Sequence, residues 1–370
     1  MGHQNVFIQD LKRKRNFPQM VTQGLAFSLL LILVGSMLSC QDKFVERTNS
    51  KSTYQIRSFS VSGRQASVIL ENTRELGITT DGGQRWQLIP AAAVGDAFEC
   101  ATMIDSTRGW AVNHQGHIFR TDSGGMSWTK ISELRDFTGA NQIQFLNEND
   151  GWIREFLSIW RTRDGGVTWQ QTLSTVTPGV LGQPTGMFPI NADILLSSGS
   201  GGQVYLTRDG GETWKIDSPL GGGLDKLDFN DVWFVDQKHG WLAGYEILVA
   251  GESLRPLLFE TTDGGNSWNE LSIEADIRPS SVCFVGDEGW LAGSRRIVNG
   301  KSVELLGVLL RTEDGGKNWT PVQFGPKEPF FTDVRFTDKT HGWLVGRDSL
   351  YRTEDGGETW NIVLSFPQRT

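Results

Sequence analysis

The chain has 370 residues, of which 21% are charged and 10% aromatic, with a formal net charge of −8 and three cysteines. An acidic balance excludes a nucleic-acid backbone as the main partner, because phosphate neutralisation requires a cationic surface. Three cysteines without C-x-x-C spacing exclude a disulfide-stapled domain, a thiol-redox pair and a haem tag.

The first elements set a compartment. Lys12-Arg13-Lys14-Arg15 precedes an apolar run from about Gly24 to Leu38, and the run ends in Met-Leu-Ser-Cys40. A charged start and an apolar stretch shorter than the ~18 residues of a spanning helix describe an export signal. Ser39-Cys40 resembles the processing site of bacterial lipoproteins, which implies lipidation of Cys40; Met37 departs from the usual leucine. An uncleaved membrane anchor and an ordinary cleaved signal are the alternatives. Residues 1–40 thus read as a signal of lipoprotein type, 41–52 as a polar tether and 53–370 as the folded domain. Removing the signal takes away four basic residues and Asp10, leaving 31 basic and 42 acidic side chains, a net −11.

From residue 53 onward the chain repeats. A hairpin of the form Thr-x-Asp-Gly-Gly-x-x-Trp recurs seven times, ending at Trp86, Trp128, Trp169, Trp214, Trp268, Trp319 and Trp360. The intervals are 42, 41, 45, 54, 51 and 41 residues, a period that belongs to repeat architectures. The turn aspartates are Asp81, Asp164, Asp209, Asp263, Asp314 and Asp355, with Ser123 in the second copy. A Gly-Trp pair precedes most copies, at Trp110, Trp152, Trp241, Trp290 and Trp343. One unit reads as strand, polar turn, Gly-Trp strand, third strand, Asp-Gly-Gly turn and fourth strand. Four short strands per unit predict an all-β, seven-bladed β-propeller of four-stranded antiparallel blades, with six or eight blades as the alternatives. Both ends of the repeat region read as strand, so the ring can close by pairing blade 1 with blade 7, with or without a strand borrowed across the termini.

The hairpin chemistry is structural. Gly reaches positive φ without cost, and the Asp carboxylate accepts turn amides, with Ser or Thr before the Trp closing the network. Each terminal Trp is expected to present an apolar face to the next blade. Seven dispersed copies cannot converge on one substrate, and a single carboxylate per turn lacks the ligand number calcium requires.

Two repeats are longer than the rest. The excess lies in "GYEILVAGESLRPLL" and "GSRRIVNGKSVELLG", read as lengthened hairpins on one face of blades 5 and 6. Insertions on one face of a repeat fold mark a binding face, and Arg255, Arg295, Arg296 and Arg347 are expected to form a basic rim there. A variable slot in the first strand of five blades, held by Thr102, Gln144, Trp233, Cys283 and Arg335, is expected to face the central channel. Cys100 and Cys283 read as buried free thiols. His114 and His117 fall on opposite strand faces, and no metal or cofactor motif is present.

The hairpin resembles the Asp-box, or bacterial neuraminidase repeat, of sialidases and of non-enzymatic propellers. Sialidases also need an arginine cluster and a Tyr–Glu pair, and Tyr54, Tyr205, Tyr245 and Tyr351 stand in no such arrangement in the sequence. The fuller unit "DVxF…HGWLVG…T-x-DGGxxW" at 333–360 resembles the Ycf48-like photosystem II stability and assembly factors. That resemblance covers roughly 53–368 and the signal. It implies a monomeric, non-catalytic binder of the newly made reaction-centre subunit D1 and early assembly intermediates. It also implies the lumenal side of the thylakoid membrane, a lipid anchor, no cofactor, and a basic patch for which Arg255, Arg295, Arg296, Arg335 and Arg347 are candidates. Relatives with this repeat also occur in non-photosynthetic bacteria. The alternatives are therefore a lipid-anchored, protein-binding propeller of the bacterial envelope and a glycan-binding or sialidase-like propeller.

Overall fold

The polypeptide hydrogen-bonds back on itself wherever an Asp-Gly-Gly turn ends a strand, and this turn sets the period of the fold. In the computed structural model the described residues are 56–70, 75–89, 97–175, 182–221, 226–249, 253–299, 302–325 and 328–365. Cys40, the signal and the tether through residue 52 lie outside them. The described residues form seven four-stranded antiparallel sheets, each built from four strands consecutive in the chain, and no helix. The innermost strands are Ile56–Ser62, Phe98–Met103, Ala140–Phe145, Pro184–Pro189, Leu227–Phe234, Arg278–Val285 and Phe331–Phe336.

Burial explains the strand sequences. The second strand of each blade is covered on both faces by neighbouring blades, so Gly109–Asn113 and Gly342–Gly346 are buried throughout and read as unbroken apolar runs. Fourth strands such as Lys215–Asp217 and Asn269–Leu271 are mostly exposed and carry charged or amide side chains, which blunt the outer edge.

The clip works through three side chains. In blade 6, Thr312 Oγ1 donates to Asp314 Oδ1 at 2.8 Å and accepts the Gly316 amide at 3.1 Å. Asp314 Oδ1 accepts the Lys317 and Asn318 amides, and its Oδ2 accepts Asn318 Nδ2 at 2.7 Å. Gly316 has φ +91°, which a side chain rarely tolerates. The amide bond to the Asp Oδ1 recurs around Asp81, Asp164, Asp209, Asp263 and Asp355, the side-chain bond to Oδ2 around the last four, and Ser123 accepts the corresponding amide with its hydroxyl. The clip also fastens the first turn of its own blade: the Gly315 amide donates to Asp287 O, and Gly356 to Thr340 O.

Blades are joined by the Gly-Trp indole. Trp290 of blade 6 stacks on Phe336 of blade 7 with centroids 3.4 Å apart and planes at 8°, while its Nε1 donates to the Gly356 carbonyl of the blade 7 clip. Trp110 on Phe145 and Trp241 on Phe284 repeat this, with N–H bonds to Gly165 O and Gly315 O. The glycine before the Trp makes room for the phenylalanine of its own blade: a Cβ on Gly240 would lie 2.6 Å from the Phe234 ring. The terminal tryptophans were expected to face the next blade; instead they sit at the boundary with the preceding one. Trp319 meets Phe284 of its own blade edge-on, and Trp86 of blade 1 meets Trp343 of blade 7 edge-on. The reason is that the clip folds its Trp back toward the stack formed with the previous blade.

The sequence leaves open whether the closing blade borrows a strand across the termini. Blade 1 uses its own four strands, and it meets blade 7 through side chains, with Val68 and Leu70 against Trp343 and Val345. Face-to-face burial supplies the closure that a shared strand would otherwise provide.

Removing the stacked indole in Trp290→Ala should cost about 3–5 kcal/mol in denaturant unfolding, and Thr312→Val about 1–3 kcal/mol through the unpaired Gly316 amide. Unfolding curves that overlay the parent would contradict both roles. Acid provides a second check. Hydrogen bonds from Thr213, Ser267 and Asn318 hold Asp209, Asp263 and Asp314 at about 2, and Asp355 lies at about 2 because its Thr359 bonds outweigh burial. Unfolded aspartate titrates near ~3.9, so the unfolded chain takes up protons first and clip stability is lost as pH falls from about 4 to about 2. The melting temperature should drop steeply across that window and less steeply in Asp314→Asn; a flat profile would contradict it.

Candidate functional site

The seven innermost strands surround a cavity of about 660 Å³ lined by polar groups, among them Arg57, Thr102, Gln144, Arg154, Trp233 and Arg335. Four of the five expected channel positions therefore line it. Cys283 does not: it is fully buried, and its sulfur accepts the Phe336 amide at 3.2 Å. Burial pushes the Cys283 thiol up to about 12, and Cys100 is raised by the same cause, so both are inert free thiols.

Four of the channel's side chains form one network. Arg335 Nη1 donates to Asp231 Oδ2 at 3.0 Å and to Ser281 Oγ at 2.9 Å, and its Nη2 lies 3.1 Å from Asp333 Oδ1. Asp231, Ser281 and Asp333 hold equivalent positions in blades 5, 6 and 7, so adjacent repeats bring them together around one guanidinium. Trp233 stacks below it, with the guanidinium carbon 5.1 Å from the ring centroid. Burial raises Asp333, and the two carboxylates raise Arg335 against its own burial. Arg335, expected to contact a partner, is thus occupied in binding three blades together.

The remaining arginines divide in the same way. Arg255 is bound by Glu246 at 2.9 Å and by Glu270, so its charge is neutralised on its own sheet. Arg347 lies against Asp348 and is 14% exposed. Arg295 is exposed on the extended strand Glu288–Asn299 and makes no ion pair among the described residues, and Arg296 beside it is half-buried. Of the expected rim of four, Arg295 is the one that is exposed without an ion pair among the described residues.

Arg154 escaped sequence reasoning. Its guanidinium reaches the cavity, donating to Pro184 O at 3.0 Å and to Gln142 Oε1 at 3.4 Å, with no carboxylate in ion-pair range among the described residues. Burial lowers its pKa to about 10, which leaves it cationic at neutral pH. The signal was a departure from the repeat: where Gly-Trp-Ile-Arg154 has arginine, the other Gly-Trp copies have Val112, Ala243, Ala292 and Val345. Arg57, by contrast, is paired with Glu99 at 3.2 Å.

Among the described residues, the only carboxylates lining the cavity are Asp231 and Asp333. Asp231 and Asp333 share Arg335 and Ser281. A Tyr–Glu pair exists, with the Tyr351 hydroxyl donating to Glu328 Oε1 at 2.5 Å, but Tyr351 is buried in the blade 6–blade 7 core and neither residue lines the cavity. His239 and His341 donate their amides to Asp236 and Asp338 within the first turns of blades 5 and 7, as repeated turn residues.

Seven four-stranded blades, clipped by Asp-box hairpins around a polar channel, define an Asp-box propeller. The sequence model of the family described as photosynthesis system II assembly factor YCF48 matches residues 97–222 and 223–330, more than half of the chain, and the protein belongs to that family. The photosystem II stability/assembly factor HCF136 of Arabidopsis thaliana is 30% identical over 300 residues, covering 74% of this chain and 68% of that protein. The photosystem II assembly lipoprotein Ycf48 of Synechococcus sp. strain CC9902 is 35% identical over 103 residues, covering 27% of this chain and 25% of that one. The chain therefore spans about a quarter of that lipoprotein's length in the alignment. A solved structure of YCF48 bound to D1 peptide superposes with a TM-score of 0.61 at 18% identity, covering 83% of this chain and 95% of that one. A GH74 enzyme of Niastella koreensis superposes with a TM-score of 0.51 at 13% identity, so the fold itself serves both binders and enzymes.

Arg335→Met should cost about 3–5 kcal/mol at pH 7, because two buried carboxylates lose their counter-charge. The loss should shrink as pH falls, because burial raises Asp333 and its protonation removes one of the uncompensated charges. A penalty that does not change with pH would contradict the network.

Proposed function

We propose that the chain is a non-enzymatic photosystem II assembly and stability factor that holds a segment of a newly made D1-type reaction-centre subunit on the lumenal side of the membrane. The observation that carries this reading is the family match across residues 97–330, which runs through blades 2 to 6. The D1 peptide in the solved YCF48 structure supplies the class of partner. Lipidation at Cys40 is part of the same reading, supported by the Met-Leu-Ser-Cys site and by the lipoprotein name of the Synechococcus relative.

The side chains assign the work within the site. A binder needs cations that the protein has not already neutralised, and among the described residues Arg154 and Arg295 are the candidates. Arg154 is held in place by two neutral acceptors and is set to receive a carboxylate, either of an acidic side chain or of a chain terminus. Arg255, Arg335 and Arg347 serve the fold. Among the described residues, Asp231 and Asp333 share one guanidinium and no further carboxylate lines the channel, which favours binding over general acid–base chemistry.

Titration of the full chain with a synthetic D1 peptide tests this by calorimetry. Arg154→Met is expected to weaken binding about tenfold while the melting temperature holds, since one buried charge-assisted bond supplies about 1.5–3 kcal/mol. Failure of the parent chain to bind D1 peptide, together with recovery of no reaction-centre precursor from solubilised membranes, would overturn the reading.

A further inference from the structure

Each innermost strand carries one bulge near its start, and the bulged residue is polar in every blade. In blades 4, 5 and 6 that residue sews its sheet to the next one. Thr185 donates to Phe229 O, Asn230 to Pro279 O at 2.6 Å and Ser280 to Phe331 O at 2.7 Å, the acceptor each time being the residue just before the next blade's bulge. Glu99 of blade 2 makes the reverse bond and accepts the Ala140 amide at 2.8 Å.

Blade 3 breaks the pattern. Its bulged residue is Asn141, and the carbonyl that falls to it by position is Pro184 O. Arg154 Nη1 takes that carbonyl at 3.0 Å instead. The Asn141 side chain makes no hydrogen bond among the described residues, although it is half-buried and lines the central cavity. Its amide therefore keeps its full donor capacity for a ligand. Arg154 is paired in register with Gln142, the residue after the bulge, so the guanidinium and the Asn141 amide belong to the same level of the channel.

The guanidinium is also incompletely used. Its Nε reaches Gln142 Oε1 at 3.4 Å, and Gln142 is held in that orientation because its own Nε2 donates to Met187 O at 3.0 Å. Arg154 Nη2 makes no hydrogen bond among the described residues, and the side chain lines the cavity. The other two arginines of the channel are matched, Arg57 by Glu99 and Arg335 by Asp231 and Asp333. Asp231 favours the charge on Arg154 from beyond ion-pair range, and burial opposes it.

From an unmatched guanidinium edge and an unused amide on one cavity, we infer that the channel binds a small planar monovalent oxyanion, of carboxylate or nitrate shape. One oxygen accepts from Arg154 Nη2 and a second from Asn141 Nδ2. A cavity of about 660 Å³ has room for such an ion together with water. A planar oxyanion offers two adjacent acceptors to the two donors, where a halide offers one centre. A divalent anion brings a second charge that finds no further unmatched cation and meets Asp231 and Asp333 in the same channel. The site needs no protein partner. It rests on the reading proposed above only in that a D1-type carboxylate reaching Arg154 has to displace the ion.

Formate, with its single carbon-bound proton, is the probe. Saturation-transfer NMR on the full chain without peptide is expected to give a formate signal that saturates with concentration. Nitrate should compete for it far better than chloride or sulfate at equal ionic strength. Arg154→Met should weaken formate binding about tenfold or more, and Asn141→Leu roughly threefold. Asn141→Asp gives the decisive comparison, because its carboxylate satisfies Arg154 from within the chain. Formate binding should vanish in that variant while the melting temperature stays at or above that of the parent. A formate signal that is absent from the parent, or that persists unchanged in Arg154→Met and Asn141→Asp, overturns the inference, as does equal competition by chloride. A chain that binds D1 peptide but takes up no formate removes this site and leaves the proposed function standing. Formate uptake by a chain that ignores the peptide does the reverse.

Discussion

The structure depends on a stack that recurs at three of the seven blade boundaries: the indole of one blade's Gly-Trp lies flat on the phenylalanine of the next blade's innermost strand. Each participant has a second obligation. The indole N–H is bound to the next blade's clip carbonyl, as in Trp290 to Gly356. The clip Trp of that next blade meets the phenylalanine edge-on, as Trp360 meets Phe336. On the indole's other face an arginine of its own third strand covers the ring in three blades, Arg120 over Trp110, Arg161 over Trp152 and Arg352 over Trp343. A single blade can satisfy none of these alone, so the sheets are stable through their neighbours, as in other repeat proteins.

Where the stack changes, its function is taken up by other groups. Blade 4 has no Gly-Trp and no phenylalanine opposite Trp152. There Arg161 donates to Gly210 O at 2.8 Å, taking the carbonyl that an indole N–H takes elsewhere. Trp152 packs instead against Met187 and Tyr205. At the next boundary, where blade 4 has no indole to donate, Arg208 donates to the Gly264 carbonyl of the blade 5 clip at 2.8 Å, so the irregular fourth repeat substitutes one donor for another.

The fold was legible because its signals are local. Asp-Gly-Gly turns, the Thr two residues before each Asp and the Gly-Trp pairs recur at fixed offsets, and the order of the strands follows from them. What joins the blades was not legible, because the indole's partner lies one period further along the chain and no spacing within a repeat announces it. The same holds for Arg335. Its slot beside the channel could be read from alternation, but its neutralisation by Asp231 and Asp333 appears only when three repeats are placed side by side. Arg154 was readable in principle, since an arginine among Val112, Ala243, Ala292 and Val345 breaks the repeat. In this molecule the repeated residues build the wheel, and departures from the repeat carry its surface chemistry.

The joint itself is open to direct measurement by a double-mutant cycle on Trp290→Leu and Phe336→Leu, read by urea unfolding. A stacked pair across a blade boundary should give a coupling of about 0.5–1.5 kcal/mol beyond the sum of the single losses. Losses that add without coupling would contradict the claim that this contact fastens one blade to the next.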